Sequence, residues 1–280
     1  MKVAPQLQRI RVDFNVTESE ERFVYLYLIV MDGIHIIDTG VAGSDLLVSD
    51  YLKSIGRDIS EVKTILLTHA HPDHIGGAAA IRAASNATVY ASAPEKPWIE
   101  DIDTQFAERP IPNFYTLLDA STEVDRVVAE GDVIALEDGL TINVIDTRGH
   151  SAGSVSYLWV EQGALFTGDA IPVVGDIPIY VSAKDSRATL EKLRSLEGVD
   201  HYLPAWDEVF DEETGKAKIE ESLEHLQEID DAVRKVLEQG DAGERDQVYE
   251  KVCATLGLEG LVRNPLFKTS VSANIKEAEC

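Results

Sequence analysis

The sequence predicts a layered α/β fold in which two sheets lie face to face with helices outside. Three observations predict it. Strand-like apolar runs alternate with helical patterns across residues 22–91, short β segments separated by glycine turns fill 127–167, and a helical apolar stripe runs through 219–237.

Residues 22–30 (R-F-V-Y-L-Y-L-I-V) are rich in β-branched and aromatic side chains, Met31-Asp32-Gly33 is a turn signal, and 34–37 returns as a second strand. The hairpin ends in Asp38-Thr39-Gly40, and His35 inside it reads as a packed or edge histidine. Residues 46–55 form a short amphipathic helix, 62–68 a strand, Gly77-Ala78-Ala79-Ala80-Ile81 the start of a small-residue helix, and 87–91 another buried strand. Pro94, Pro97, Pro110 and Pro112 break any long periodicity in 92–122, which reads as an irregular loop able to cover a site. Trp98, Phe106, Phe114 and Tyr115 within it could line an apolar substrate pocket or anchor the loop to the core.

Asp132-Val133-Ile134, 140–145, 154–160 and 164–167 supply the second sheet. Residues 186–196 are an amphipathic helix and 199–204 the last strand. Ile219, Leu223, Leu226, Ile229, Val233 and Leu237 then recur at three- and four-residue steps, describing one long helix ended by Gly240, with a second from about Arg245 to Leu256.

At 280 residues and 44% apolar content the chain can bury a substantial core. No apolar run reaches the ~18 residues of a membrane span. Met1-Lys2-Val3-Ala4-Pro5 lacks the charged start and apolar core of a secretory signal, so a cytoplasmic protein is expected. A formal charge of −25 repels polyanions, which argues against nucleic acid and anionic membrane surfaces as partners and leaves a small molecule. Cys253 and Cys280 make no disulfide framework and no C-x-x-C metal spacing; the first reads as a core residue, the second as a free thiol on a tail.

The chemistry concentrates in Thr68-His69-Ala70-His71-Pro72-Asp73-His74-Ile75-Gly76-Gly77, where three imidazoles and a carboxylate fall within six residues at a strand's end. Imidazole is a borderline ligand for zinc, iron and manganese, and carboxylate is the harder partner that bridges or balances a second ion. In a turn, His69 and His71 can point to one side while Asp73 and His74 point to another, which suits two adjacent ions.

This stretch resembles the metal signature of the metallo-β-lactamase-fold hydrolases. Asp38-Thr39-Gly40, Thr147-Arg148-Gly149-His150-Ser151-Ala152-Gly153-Ser154 and Phe166-Thr167-Gly168-Asp169 are similar to that family's other motifs, in the same order. The resemblance implies a four-layer αββα sandwich over 1–212 followed by a helical C-terminal appendage, 213–280. It implies that His69, His71 and His150 hold one metal, that Asp73 and His74 hold another with Asp73 also orienting a bridging water, and that Asp169 bridges both. Asp38 would stand behind the ligands and fix an imidazole's orientation. Two divalent ions are implied, zinc first, with iron or manganese as alternatives.

The family's last ligand is a histidine in a turn after the final strand, where this chain has Pro204-Ala205-Trp206-Asp207. Indole cannot ligate. Asp207 is expected to turn in and supply an oxygen; water in that place, or one metal fewer, are the alternatives, and His201 is a weaker substitute. Tyr180, Lys184 and Arg187 follow the Asp169 motif, where they could meet a substrate or be ordinary solvated or helix-start residues.

The function expected from the resemblance is hydrolysis of a small ester-like bond, a thioester or lactone, by a metal-bridging hydroxide. The alternative is an iron-dependent oxidoreductase resembling the sulfur dioxygenases, with His69, His150 and Asp169 on one iron. The acidic C-terminal helices could serve as a lid, a packing appendage or a homodimer contact.

Overall fold

The computed structural model describes residues 5–17, 20–238 and 245–279; the expected helix end at Gly240 and the Cys280 thiol lie outside the described residues. The first sheet holds β1 (Leu7–Thr17), β2 (Glu20–Val30), β3 (Ile34–Ile37), β4 (Val62–Leu66), β5 (Thr88–Ser92) and β6 (Arg126–Val128), side by side in that order. The second holds β7 (Val133–Glu137), β8 (Leu140–Asp146), β9 (Val155–Trp159), β10 (Ala164–Gly168), β11 (His201–Pro204) and β12 (Phe210–Asp211), again side by side in that order. Helices α1 (Ser44–Ser54), α2 (Pro72–Ile75), α3 (Ala78–Ser85), α4 (Lys96–Glu100), α5 (Ile102–Glu108) and α6 (Phe114–Leu117) belong to the first half of the chain. Helix α7 (Ala183–Ser195) follows β10, and α8 (Glu212–Glu238), α9 (Arg245–Leu256) and α10 (Pro265–Ala278) complete the chain.

The apolar side chains sort into the layers of an αββα sandwich. Strand β2 reads as an unbroken apolar run because both its faces are buried. Val24, Leu26 and Leu28 pack toward the helical side with Val48, Leu52 and Ile81, while Tyr25, Tyr27 and Ile29 face the second sheet with Tyr157, Trp159 and Phe166. The outer face of the second sheet buries Leu165 and Tyr202 against Leu190, Leu193, Ile219 and Leu226 of α7 and α8. Val233 and Val236 of α8 meet Val252, Phe267 and Val271 of the last two helices. Among the described residues no helix is long and apolar enough to cross a membrane.

Three differences from expectation have local causes. Strand β1 pairs along most of its length with β2; its alternation of Arg9, Arg11 and Asp13 with apolar residues reflects an edge strand. The stretch 92–122 holds three short helices instead of an irregular loop, because Pro97 sits in the first turn of α4, where its missing N–H costs nothing. A further helix, α10, starts where Asn264 caps Leu266 and Phe267 and Pro265 opens the first turn.

Strands β3, β4 and β5 run parallel, as do β10 and β11. Their carboxyl ends gather at one rim, the place where α/β sheets present ligand-binding turns. Two inter-sheet tyrosines tie this rim down: Tyr157 donates to the carbonyl of Leu67, 2.9 Å, and Tyr27 to that of Pro204, 2.7 Å.

Candidate metal centre

Strand β3 delivers Asp38, β4 delivers the turn holding His69, His71, Asp73 and His74, the β8–β9 loop delivers His150, and β10 ends on Asp169. The structure brings these distant residues together as two groups whose candidate ligand atoms lie within 4.8 Å of one another: His69, His71, His150 and Asp169, and Asp73, His74 and Asp169. Asp169 is common to both.

Hydrogen bonds behind the rings assign their tautomers. Asp38, in the left-handed region at φ 54°, accepts from the Thr68 N–H, the Thr68 hydroxyl and His74 Nδ1, each at 2.8 Å. Since the Thr68 hydroxyl proton goes to Asp38, its oxygen is left to accept from His69 Nδ1 at 3.0 Å. His150 Nδ1 donates to the Ile179 carbonyl at 2.8 Å. In the neutral rings the Nε2 atoms of His69, His74 and His150 therefore carry the lone pairs available to a metal, and His74 must first give up a proton.

Those lone pairs face one another and two carboxylates. His71 Nδ1 lies 3.0 Å from His69 Nε2 and 2.8 Å from His150 Nε2. His74 Nε2 is 3.2 Å from Asp169 Oδ1 and 3.5 Å from Asp73 Oδ2. His74 Nε2 and Asp169 Oδ1 are both buried, and among the described residues neither has a well-directed hydrogen-bond partner beyond this contact. With the rings neutral, four imidazole nitrogens and two carboxylates turn inward on one small volume, and this donor set fits metal ions. Three imidazoles with one carboxylate suit zinc, and the oxygen-richer second group also suits iron or manganese.

Without metal the electrostatics divide the rings: His69, His71 and His150 stay neutral, while His74 holds a proton that a metal would displace. Burial, with neighbouring imidazoles and Arg109, holds His69 and His71 well below the usual histidine range. Burial also lowers His150, against the pull of Asp169. At His74 burial opposes the charge, but Asp169, Asp38 and Asp73 together hold it well above that range. Burial likewise opposes ionisation of Asp169, but His74, His150 and the Trp206 indole keep its carboxyl below the usual range.

Local sequence explains why the turns close so tightly. Gly168 has φ +51°, and a Cβ there would stand 2.5 Å from the Thr68 hydroxyl. Ala70, between the first two histidines, donates its N–H to Glu95 at 2.9 Å and accepts from Gln105 at 2.6 Å. Glu95 also accepts from the Ser151 hydroxyl at 2.7 Å and the Gly153 N–H at 2.6 Å, so one buried carboxylate ties the His69–His71 turn to the His150 loop. Glu95, Gln105 and Arg109 were invisible to sequence reasoning, because each is a lone polar residue whose partners lie far away in the chain.

The other candidates fall elsewhere. Asp207 stands outside both groups among the described residues. Its carboxylate accepts from the next N–H, that of Glu208, at 2.7 Å. The reason lies in Trp206, whose indole packs against Phe14 and Phe23, with ring centroids 6.2 and 6.0 Å away, and so occupies the rim itself. His201 also stays outside both groups. Tyr180 is buried and accepts from Asn274, and Arg187 pairs with Glu277, so both hold α10 instead of meeting a substrate. His35 is a core histidine bonded to Thr64 and Glu137 at 2.7 Å each.

A cavity of about 220 Å³ opens on the cluster. His71, Asp73, His150 and Asp169 line its floor, and its walls come from the β1–β2 hairpin, the α5–α6 connection, the loop after Asp169 and the start of α10. Trp98, Phe106, Phe114 and Tyr115 do not line it. The last three stack on one another and anchor the segment, leaving the wall to Arg109, Ile111, Pro112 and Leu117.

A sequence profile described as the metallo-beta-lactamase superfamily matches residues 20–201. The chain belongs to this superfamily. A metallo-beta-lactamase family protein from Thermus thermophilus superposes with a TM-score of 0.76 at 18% identity, covering 99% of this chain and 95% of that one. A beta-lactamase domain protein from Burkholderia ambifaria gives 0.75 at 17%, covering 99% and 87%. At such identity these likenesses speak to the superfamily fold alone, and they extend over the C-terminal helices.

Two curated relatives of the superfamily member add names. The beta-lactamase-like protein 2 homolog of Caenorhabditis elegans is 26% identical over 256 residues, 84% of this chain and 78% of that protein. A hydroxyacylglutathione hydrolase of Rhodospirillum rubrum is 31% identical over 176 residues, 61% of this chain and 57% of the hydrolase, so the match spans little more than half of that enzyme.

Proposed function

We propose that this chain is a metal-dependent hydrolase of a small ester-like substrate, a thioester or lactone. One observation supports the reading: two groups of candidate ligands share Asp169, brought together from three separate stretches of the chain. The name of the hydroxyacylglutathione hydrolase relative supports ester-like chemistry. Divalent ions, zinc first with iron or manganese as alternatives, would supply hydroxide at neutral pH and polarise a carbonyl.

The chain's own residues do the positioning. Asp38 holds His74 by its Nδ1 and, through Thr68, His69. His150 is aimed by the Ile179 carbonyl. Asp73 and Asp169 reach the cavity floor, where Asp73 would orient an attacking water. The apolar walls keep bulk water from a bound acyl group. Asn264, Pro265 and Leu266 contribute to those walls, so we assign segment 213–280 to shaping the site, with a homodimer contact left to its outer surface.

The oxidoreductase alternative draws on Trp206, which leaves the second group with three protein residues. Metal analysis of protein purified without added metal, with turnover of thioesters, lactones and phosphodiesters, separates the two. About two ions per chain with thioester or lactone cleavage is expected; a single iron with oxygen uptake on a persulfide would replace the hydrolase.

A further inference from the structure

Arg109 is the feature of the cavity that the hydrolase reading leaves unused. It caps the end of α5 one turn after Gln105, and Gln105 is fastened to the Ala70 carbonyl, so Arg109 joins the cavity wall within electrostatic reach of His71, Asp73, His150 and Asp169. Although partly buried, it forms no ion pair within 4.0 Å among the described residues. The carboxylates that act on it through space are Asp73, Asp169 and Glu95. Two of these belong to the metal groups, and Glu95 is taken up by Ala70, Ser151 and Gly153. With those carboxylates committed to the ligand groups and to backbone donors, Arg109 keeps an unoccupied fork of donors.

The charged residues elsewhere in the wall, Glu20, Arg22 and Asp176, pair with one another and sum to one negative charge, so Arg109 is the cation there left without an ion pair among the described residues. Arg22 is held bidentately by Asp176 at 2.9 and 2.7 Å, and the Asn264 side chain is spent on capping α10. Phe14, Val16, Ile111, Ile171, Ile177 and Leu266 make most of the remainder apolar. An apolar channel ending on one free guanidinium matches an aliphatic compound with an anionic head. The chain's overall negative field does not forbid this, because charges farther than about 8 Å are largely screened at physiological salt.

We propose that the substrate is an amphipathic anion: an aliphatic acyl compound whose carboxylate or phosphate group sits on Arg109 beside the bond to be cut, with its hydrocarbon part in the cavity. This rests on the hydrolase reading only for the bond that is cut. Arg109 is then the residue that selects negatively charged substrates.

The test is binding, measured by calorimetry on the metal-loaded protein with octanoate, octyl phosphate and octanol. A charged hydrogen-bonded head predicts that at least one anion binds about tenfold to a hundredfold more tightly than octanol. The better anion tells carboxylate from phosphate. In Arg109→Gln that preference should fall to about twofold or less, with octanol binding and metal content kept; Arg109→Lys, which retains charge without the fork, should fall between. Octanol binding to the unaltered protein as tightly as both anions overturns the proposal without any variant. So does an anion preference that survives in Arg109→Gln, which would place the head on the metals. If no ester of the panel is hydrolysed while the anion preference stands, the hydrolase reading fails alone; hydrolysis without the preference sinks the inference alone.

Discussion

Asp38→Asn removes one charge and reverses one donor without changing the side chain's shape. The carboxylate is buried and accepts three hydrogen bonds of 2.8 Å, from the Thr68 N–H, the Thr68 hydroxyl and His74 Nδ1. An amide must set its NH2 against at least one of these donors. The least harmful choice faces the Thr68 N–H, which loses one charge-assisted bond, about 1.5–3 kcal/mol, and leaves the others bonded to a neutral oxygen. The Thr68 hydroxyl cannot turn to compensate, since its oxygen accepts from His69 Nδ1. A total near 3 kcal/mol follows, about a hundredfold in metal affinity, because the apo site no longer presents His74 and His69 ready-oriented. Competition of the protein with a chromophoric zinc chelator measures this. Affinity within about twofold of the unaltered protein would refute the claim that Asp38 sets the ring orientations.

His74→Ala should remove the metal of the second group and spare the first, halving the metal content by elemental analysis. Asp207→Ala should leave that content unchanged, because its carboxylate is bonded to the neighbouring Glu208 N–H. Lowering the pH from about 8 to about 5.5 should empty the Asp73–His74–Asp169 group first, as followed by metal release. The sign follows from the shifts: His74 keeps its proton above the usual range and must lose it to ligate, while His69, His71 and His150 are already neutral there. Gly168→Ala combines a left-handed φ of +51° with a Cβ 2.5 Å from the Thr68 hydroxyl, so thermal unfolding should show a loss of about 2–4 kcal/mol.

The sheets were legible because apolar runs and glycine turns follow the local backbone directly, and His69, His71, Asp73 and His74 were legible because they share one turn. His150 and Asp169 stand far along the chain, yet each carries its own glycine-flanked signal at a strand end. Asp207 lies outside both groups because adjacency in sequence does not fix position in space: Trp206 beside it packs against Phe14 and Phe23. Strand β1 and helix α10 did leave signals, the alternation of 10–16 and the Asn264-Pro265 start. Arg109 and Glu95 left none, since a single charged residue gains its meaning only from what the fold places beside it.

Anomalous diffraction from crystals of zinc-loaded protein tests the paired site most directly. Two peaks are expected, one among His69, His71, His150 and Asp169 and the other among Asp73, His74 and Asp169, about 3.5–4 Å apart. A single peak, or none within reach of Asp169, would contradict the account.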